Sequence, residues 1–217
     1  MAAPCPAPML KLAWTWTNPS SWICYALIFL IPEPHGLMLQ TLLSLDARLT
    51  ARLRLPSEHS RWWAPAVFLA HSGDSWLWMS GFLLLWLVGN PPLRRWAVFF
   101  AVAVGIQALS IFALKQTIRR QRPPGEWGTL YRNFDPHSFP SGHATRAFLL
   151  AVLAAGNGPT WLSLVLAFWA PLVSLARVAT GVHYLSDIAA GAILGLLMGG
   201  IFLAAQPTLS TMLSFLF

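Results

Sequence analysis

Charge is scarce in this 217-residue chain: 10% of the residues are Asp, Glu, Lys or Arg, against 56% hydrophobic, and the mean hydropathy is +0.58. Soluble domains carry about 25% charged residues, so that class is excluded and a polytopic membrane protein is implied. Cysteine is nearly absent. Cys5 and Cys24 both lie in the N-terminal segment, which leaves neither a disulfide framework nor a thiolate metal site. Acidic residues number 7 against 14 Lys and Arg, a net charge of +7. The arginines stand between apolar segments rather than on a basic helix or an aromatic-interleaved patch, so the expected partners are anionic lipid and the bilayer, not nucleic acid. Only two lysines occur, Lys11 and Lys115. Lys115 closes an apolar run, a position that marks a functional-site candidate. Residues 1–10 hold no positive charge and no small-residue cleavage site follows the first apolar stretch, so a cleaved signal peptide is not expected.

What the chain does have is apolar runs near the ~20 residues that span a bilayer. They read as residues 12–31, 64–89, 96–114, 141–155, 160–179 and 184–204. Residues 37–55 alternate leucines with Asp46, Arg48, Arg52 and Arg54, the pattern of an interfacial amphipathic helix or of an ordinary packed surface helix. This divides the chain into an N-terminal transmembrane and interfacial segment, 1–63, and a core, 64–217. Asp74 falls in the first turns of the run 64–89, where a structural role is expected, orienting the helix or an arginine. Prolines and glycine make 123–140 a loop. Gly191, Gly195 and Gly199 recur every four residues, a spacing that serves close internal helix packing.

Three polar clusters interrupt this background: Lys115 to Arg122-Pro123, then Pro140-Ser141-Gly142-His143, then Arg177 through His183 to Asp187. Counting the spans outward and inward brings all three to the same membrane face. His183 and Asp187 are four apart and share a helix face, so the carboxylate can hold one ring nitrogen and leave the other free to attack phosphorus. Taken alone, the pair also reads as a helix cap with an interfacial histidine. Ser141 and Gly142 open a helix whose amide groups and dipole suit a phosphate, and His143 stands where a general acid is needed. Taken alone, this block is also a capping serine followed by an incidental histidine. Lys115, Arg122 and Arg177 would neutralise the phosphoryl oxygens without a metal or other cofactor. Arg119 and Arg120 read as interfacial anchors, and Glu126, Asp135 and His137 as unassigned loop residues.

These blocks resemble the signature of the type 2 phosphatidic acid phosphatase (PAP2) superfamily, Lys-x6-Arg-Pro, Pro-Ser-Gly-His and Ser-Arg-x5-His-x3-Asp. Ala176 stands where that family usually has serine. The resemblance covers roughly residues 64–204. It implies an all-α membrane bundle of about six transmembrane helices, a phosphohistidine on His183, His143 as acid, no metal, and phosphate binding by Lys115, Arg122, Ser141, Gly142 and Arg177.

The expected activity is hydrolysis of a lipid phosphomonoester or pyrophosphate. Candidates of the undecaprenyl pyrophosphate, phosphatidylglycerophosphate, phosphatidic acid and lipid A types are open, the polyprenyl pyrophosphate ranking first because the chain is compact. Phosphotransfer to an acceptor alcohol and a non-catalytic lipid-binding or transport role are the alternatives; the oligomeric state is left open. The resemblance further implies a bacterial cytoplasmic membrane with the site facing outward, although Arg48, Arg52, Arg54 and Arg61 on that face oppose the positive-inside tendency.

Overall fold

The computed structural model describes residues 33–56, 59–125 and 135–212, which are almost entirely helical. Seven helices occur among them: α1 (Glu33–Leu53), α2 (Trp63–Ser72), α3 (Ser75–Val88), α4 (Pro91–Ile118), α5 (Gly142–Asn157), α6 (Thr160–Ala179) and α7 (Leu185–Met212). An isolated bridge pairs Gln121 with His137. The expected span at 12–31 lies outside the described residues, as do Cys5, Lys11, Cys24 and Glu126.

Contacts divide the chain into two compact units, Met1–Leu45 and Asp46–Phe217. In the first, residues 33–45 are helical, with Met38, Leu39, Leu42, Leu43 and Leu45 exposed. All that follows concerns the second unit. There the last turns of α1 expose Leu49 and Leu53 while burying Thr50. Thr50 Oγ1 accepts from the Leu185 amide at 3.1 Å, and Asp46 Oδ1 from that of Ser186 at 3.0 Å. Asp46 and Thr50 thus face the protein, while Leu49, Leu53 and the arginines Arg48 and Arg52 are exposed.

Among the described residues, three helices are long and apolar enough to cross a membrane: α4, α6 and α7, with mean hydropathies of 2.3, 1.8 and 2.3. No more than 39% of each apolar window is buried, and Leu109, Phe112, Phe168 and Ile201 are exposed. Hydrocarbon solvates such surface where water does not, while the helices satisfy their own backbone groups. The chain is an integral membrane helix bundle.

Local chemistry sets where these helices start and stop. Asn90 caps α4, its side chain accepting from the Leu93 amide at 3.1 Å, and Pro91 and Pro92 fill the first turn, where no amide partner is needed. Arg119 ends α4 in the left-handed conformation, φ 51°, with its N–H on the Lys115 carbonyl. That turn sends Arg120 and Arg122 back across the end of the bundle.

The sequence suggested one continuous span at 64–89; the structure breaks it at Gly73-Asp74 into α2 and α3. Side chains take up the backbone groups that the break frees. Arg146 of α5 donates to the Gly73 carbonyl and to Ser75 Oγ, and Trp78 Nε1 to the Ser72 carbonyl at 3.0 Å. A break so satisfied is tolerated within an apolar run.

The 16-residue α5 is the buried element. Ala144, Ala147, Leu149, Leu150, Leu153 and Ala154 are all inaccessible. The glycines of α7 lie directly against it: a Cβ on Gly195 would come 2.4 Å from the Thr145 carbonyl oxygen, and one on Gly199 2.6 Å from Val152 Cβ. The four-residue spacing therefore serves packing within the bundle, as the sequence implied.

Candidate active site

The ends of α4, α5, α6 and α7 that carry the three polar clusters meet at one pocket of about 420 Å³. Lys115, Arg122, Gly142, His143, Arg177 and His183 all line it, so residues up to 68 positions apart in sequence converge as the alternation of spans predicted. Ser141 and Asp187 are fully buried and stand behind its wall. Ser141 is the N-cap of α5, its hydroxyl accepting from the Ala144 amide at 3.4 Å, and its own N–H donates to the Asp187 carbonyl at 3.0 Å. The first turns of α5 and α7 are thereby tied together.

His183 sits in the connection before α7 and is 1% exposed. Arg122 Nη1 lies 3.3 Å from its Nε2. Arginine donates and does not accept, so Nε2 carries the lone pair and Nδ1 the proton. Nδ1 lies 3.4 Å from Asp187 Oδ2 without a hydrogen bond to it, and that oxygen takes the Tyr184 amide at 2.8 Å. Burial, then Arg122, Arg177 and Lys115, hold the imidazole well below the usual histidine value. The arrangement presents a neutral ring with Nε2 beside Arg122.

Those cations are held in different ways. Arg122 donates to the Val182 carbonyl at 2.9 Å and the Asp135 carbonyl at 2.8 Å. Lys115 and Arg122 both pair with Asp135 Oδ2, so a carboxylate sits where two of the cations converge. Arg177, near the end of α6, is fully buried at the pocket. Ala176, one residue before it, is buried beside it.

Three parts of the site escaped sequence reasoning. Asp74 contacts two histidines: its Oδ1 lies 2.7 Å from His143 Nε2, and its Oδ2 2.9 Å from His71 Nδ1. Gln107, a buried polar residue of α4, lines the pocket with its amide 3.5 Å from the Gly142 carbonyl. Arg120 is not an interfacial anchor. It bridges Asp46 and Asp187 at 2.7 Å each, donates to Ser186 Oγ at 2.6 Å and stacks over Tyr184 at 4.1 Å. Arg119, in contrast, is exposed and its side chain donates to the nearby Gln116 carbonyl. A polar residue inside an apolar run was the available signal for Asp74 and Gln107. Nothing local marked Arg120.

Residues 96–210 match the PAP2 superfamily. The chain belongs to that family. Decaprenylphosphoryl-5-phosphoribose phosphatase of Mycobacterium tuberculosis is 36% identical over 145 residues, 64% of this chain and 77% of that protein. A probable lipid phosphate phosphatase beta of Arabidopsis thaliana is 29% identical over 49% of this chain and 64% of its own length. Among solved structures, a transmembrane PAP2-type phosphatidylglycerolphosphate phosphatase of Bacillus subtilis shares the fold, with a TM-score of 0.62 over 77% of this chain and 87% of that one at 21% identity. The bundle is accordingly that of a PAP2 membrane phosphatase, with its three signature blocks gathered at one pocket.

Proposed function

We propose that this lipid phosphatase removes the terminal phosphate of a polyprenyl-linked lipid through a phosphohistidine on His183. The observation that carries the mechanism is the orientation of His183, whose Nε2 lone pair faces the pocket beside Arg122. Nε2 attacks phosphorus, the N–P bond forms as the P–O bond to the lipid breaks, and His143 gives its proton to the departing oxygen. Water then attacks the phosphohistidine, His143 takes the proton back, and inorganic phosphate leaves. Lys115, Arg122 and Arg177 offset the charge on the phosphoryl oxygens throughout. With three cations already there, the pocket disfavours a metal cation on electrostatic grounds.

Two features support a long apolar tail. Trp76 lines the polar pocket, and its neighbours Leu77 and Trp78 line an apolar cavity of about 700 Å³ between α3, α4 and the start of α6. The mycobacterial relative, by its name, acts on a decaprenyl-carried phosphate, which favours a polyprenyl chain over a diacylglycerol.

Phosphate release by the purified protein in detergent, with chelator present, tests this against undecaprenyl pyrophosphate, a polyprenylphosphoryl sugar phosphate, phosphatidylglycerophosphate, phosphatidic acid and lipid A. The polyprenyl substrates should turn over fastest, and His183→Ala should be silent. Turnover retained in that variant removes His183 as nucleophile; chelator-sensitive turnover removes the metal-free mechanism. We further assign the protein to a bacterial cytoplasmic membrane with the pocket facing outward. Cysteines placed at 127 and 157, with Cys5 and Cys24 replaced, check this: an impermeant maleimide should label 127 and spare 157, and the reverse inverts the orientation.

A further inference from the structure

We propose that Asp74 is the positioning residue of the leaving-group side of the pocket: it fixes the His143 ring and supplies the negative charge that lets this histidine carry a proton. The inference rests on the reading of His143 as the general acid.

Asp74 stands at the N-cap of α3, with φ −67° and ψ 141°. An aspartate there ordinarily accepts from an amide of the first helical turn. Asp74 makes no such bond. Its carboxylate, 5% exposed, is turned instead to His143 Nε2 at 2.7 Å and to His71 Nδ1 at 2.9 Å, with Trp76 Nε1 at 3.3 Å. A capping group has been given up for a histidine contact, so capping does not explain this residue.

The surroundings hold that contact in place. A Cβ on Gly73 would lie 3.0 Å from His143 Cδ2 and 2.9 Å from Val173 Cγ1, so only glycine lets the α2–α3 break come this close to the ring. Arg146, one turn beyond His143 on α5, grips both sides of the break through the Gly73 carbonyl and Ser75 Oγ. Gly73, Asp74 and Ser75 are thus all engaged with the first turns of α5.

The chemistry follows from the donor inventory. A carboxylate only accepts, so His143 Nε2 carries the hydrogen of this bond, and Nδ1 is left to exchange a proton with the lipid oxygen. Arg177 from α6 and Arg146 on α5 oppose a positive His143, and Lys115 and His183 line the same pocket. Asp74 offsets those cations, while its second oxygen is held by His71, whose side chain is 46% exposed. The geometry is a histidine–carboxylate–histidine chain running from the pocket wall outward.

A purely structural Asp74 would affect every substrate alike; a residue serving the general acid affects the substrates that need one. The test uses the purified full chain and two phosphate esters of equal chain length, an alkyl phosphate, whose alkoxide needs a proton to leave, and a nitrophenyl phosphate, whose phenolate leaves without one. Asp74→Asn keeps the shape and an acceptor oxygen but removes the charge. It should lower kcat for the alkyl ester by about 10²-fold, the lower end of a general acid's contribution, with much less effect on the nitrophenyl ester and little change in KM. Equal losses on both esters, or none on the alkyl ester, overturn the proposal. Should Asp74→Asn fail to fold, Asp74→Glu decides by the same ratio: a shifted ratio supports the role and an unchanged one removes it. His143→Gln is the reference. A leaving-group-dependent loss there with a uniform loss in Asp74→Asn sinks Asp74 alone, whereas a uniform loss in His143→Gln sinks the reading of His143 and the proposal with it.

Discussion

Both histidines of the pocket are backed by a carboxylate, but the two pairs are built differently. His183 and Asp187 are four residues apart, and their contact is loose, 3.4 Å, because Arg120 and the Tyr184 amide already share the Asp187 charge. His143 and Asp74 are 69 residues apart and in close contact at 2.7 Å, and the other carboxylate oxygen of Asp74 holds His71 at 2.9 Å. The difference suits the proposed roles. A nucleophile has to stay neutral with a free lone pair, which a diluted charge behind it allows. An acid has to hold a proton among cations, which a carboxylate in close contact supports.

The largest effect expected from breaking this contrast comes from Asp187→Asn. Asp187 serves the nucleophile, so the loss in kcat should reach about 10²-fold or more and fall equally on alkyl and nitrophenyl esters, unlike that of Asp74→Asn. A leaving-group-dependent loss would mean that the two carboxylates are not divided between the two steps.

Next comes Arg120, which dilutes the Asp187 charge. Arg120→Met leaves Asp46 and Asp187 facing each other near Ser186 without their shared cation. Removing one partner of a largely buried ion pair costs about 3–5 kcal/mol, and with Arg120 still 19% exposed the lower end is expected, read as a clear fall in thermal midpoint in detergent. Arg120→Lys should recover only part of it, since an ammonium cannot fork between two carboxylates as the guanidinium does. An unchanged midpoint in Arg120→Met would show that Asp187 does not depend on it.

The same contrast explains what could be read from the sequence. Inside each block the informative spacing is short: His183 and Asp187 stand four residues apart across the start of α7, Ser141 to Gly142 is a cap and its first residue, and Lys115 ends a run. Alternating spans then put the blocks on one face without any further information. What stayed hidden has partners far away in the chain. Asp74 looked like an isolated charge in an apolar run because His143 comes 69 residues later, and Arg120 looked like an anchor because Asp46 and Asp187 are 74 and 67 residues away. The break at Gly73-Asp74 was invisible for the same reason, since Arg146, which takes the Gly73 carbonyl, comes 73 residues later.

The close approach that places Ser141 and His143 beside Asp187 is a packing matter, and a smaller change probes it. Gly195→Ala puts a methyl group 2.4 Å from the Thr145 carbonyl oxygen, so α7 has to move away from α5. Overpacking of this kind costs about 1–3 kcal/mol. Because the tie between α7 and the Ser141 amide lies further toward the pocket, the midpoint should fall with activity at low temperature largely kept. Activity lost without a fall in midpoint would mean that the helix spacing itself sets the site geometry.

The smallest effect expected is on pH dependence, and it bears on whether His183 is kept neutral. In the unfolded chain a histidine titrates near about 6.5, while burial and then Arg122, Arg177 and Lys115 hold the folded His183 well below this. As pH falls through 6.5 the unfolded chain gains a proton that the native chain does not, so this residue lowers stability with acidification and leaves it unaffected above that value. The nucleophile of the free enzyme stays unprotonated over the same range, so any acid limb of kcat/KM due to His183 lies below 6.5. Arg122→Gln removes the cation 3.3 Å from Nε2 and should raise that value, moving the limb toward higher pH while the substrate's own ionisation stays fixed. A limb that does not move, measured on the same ester in both proteins, would show that Arg122 acts on the phosphate alone and not on the histidine beside it.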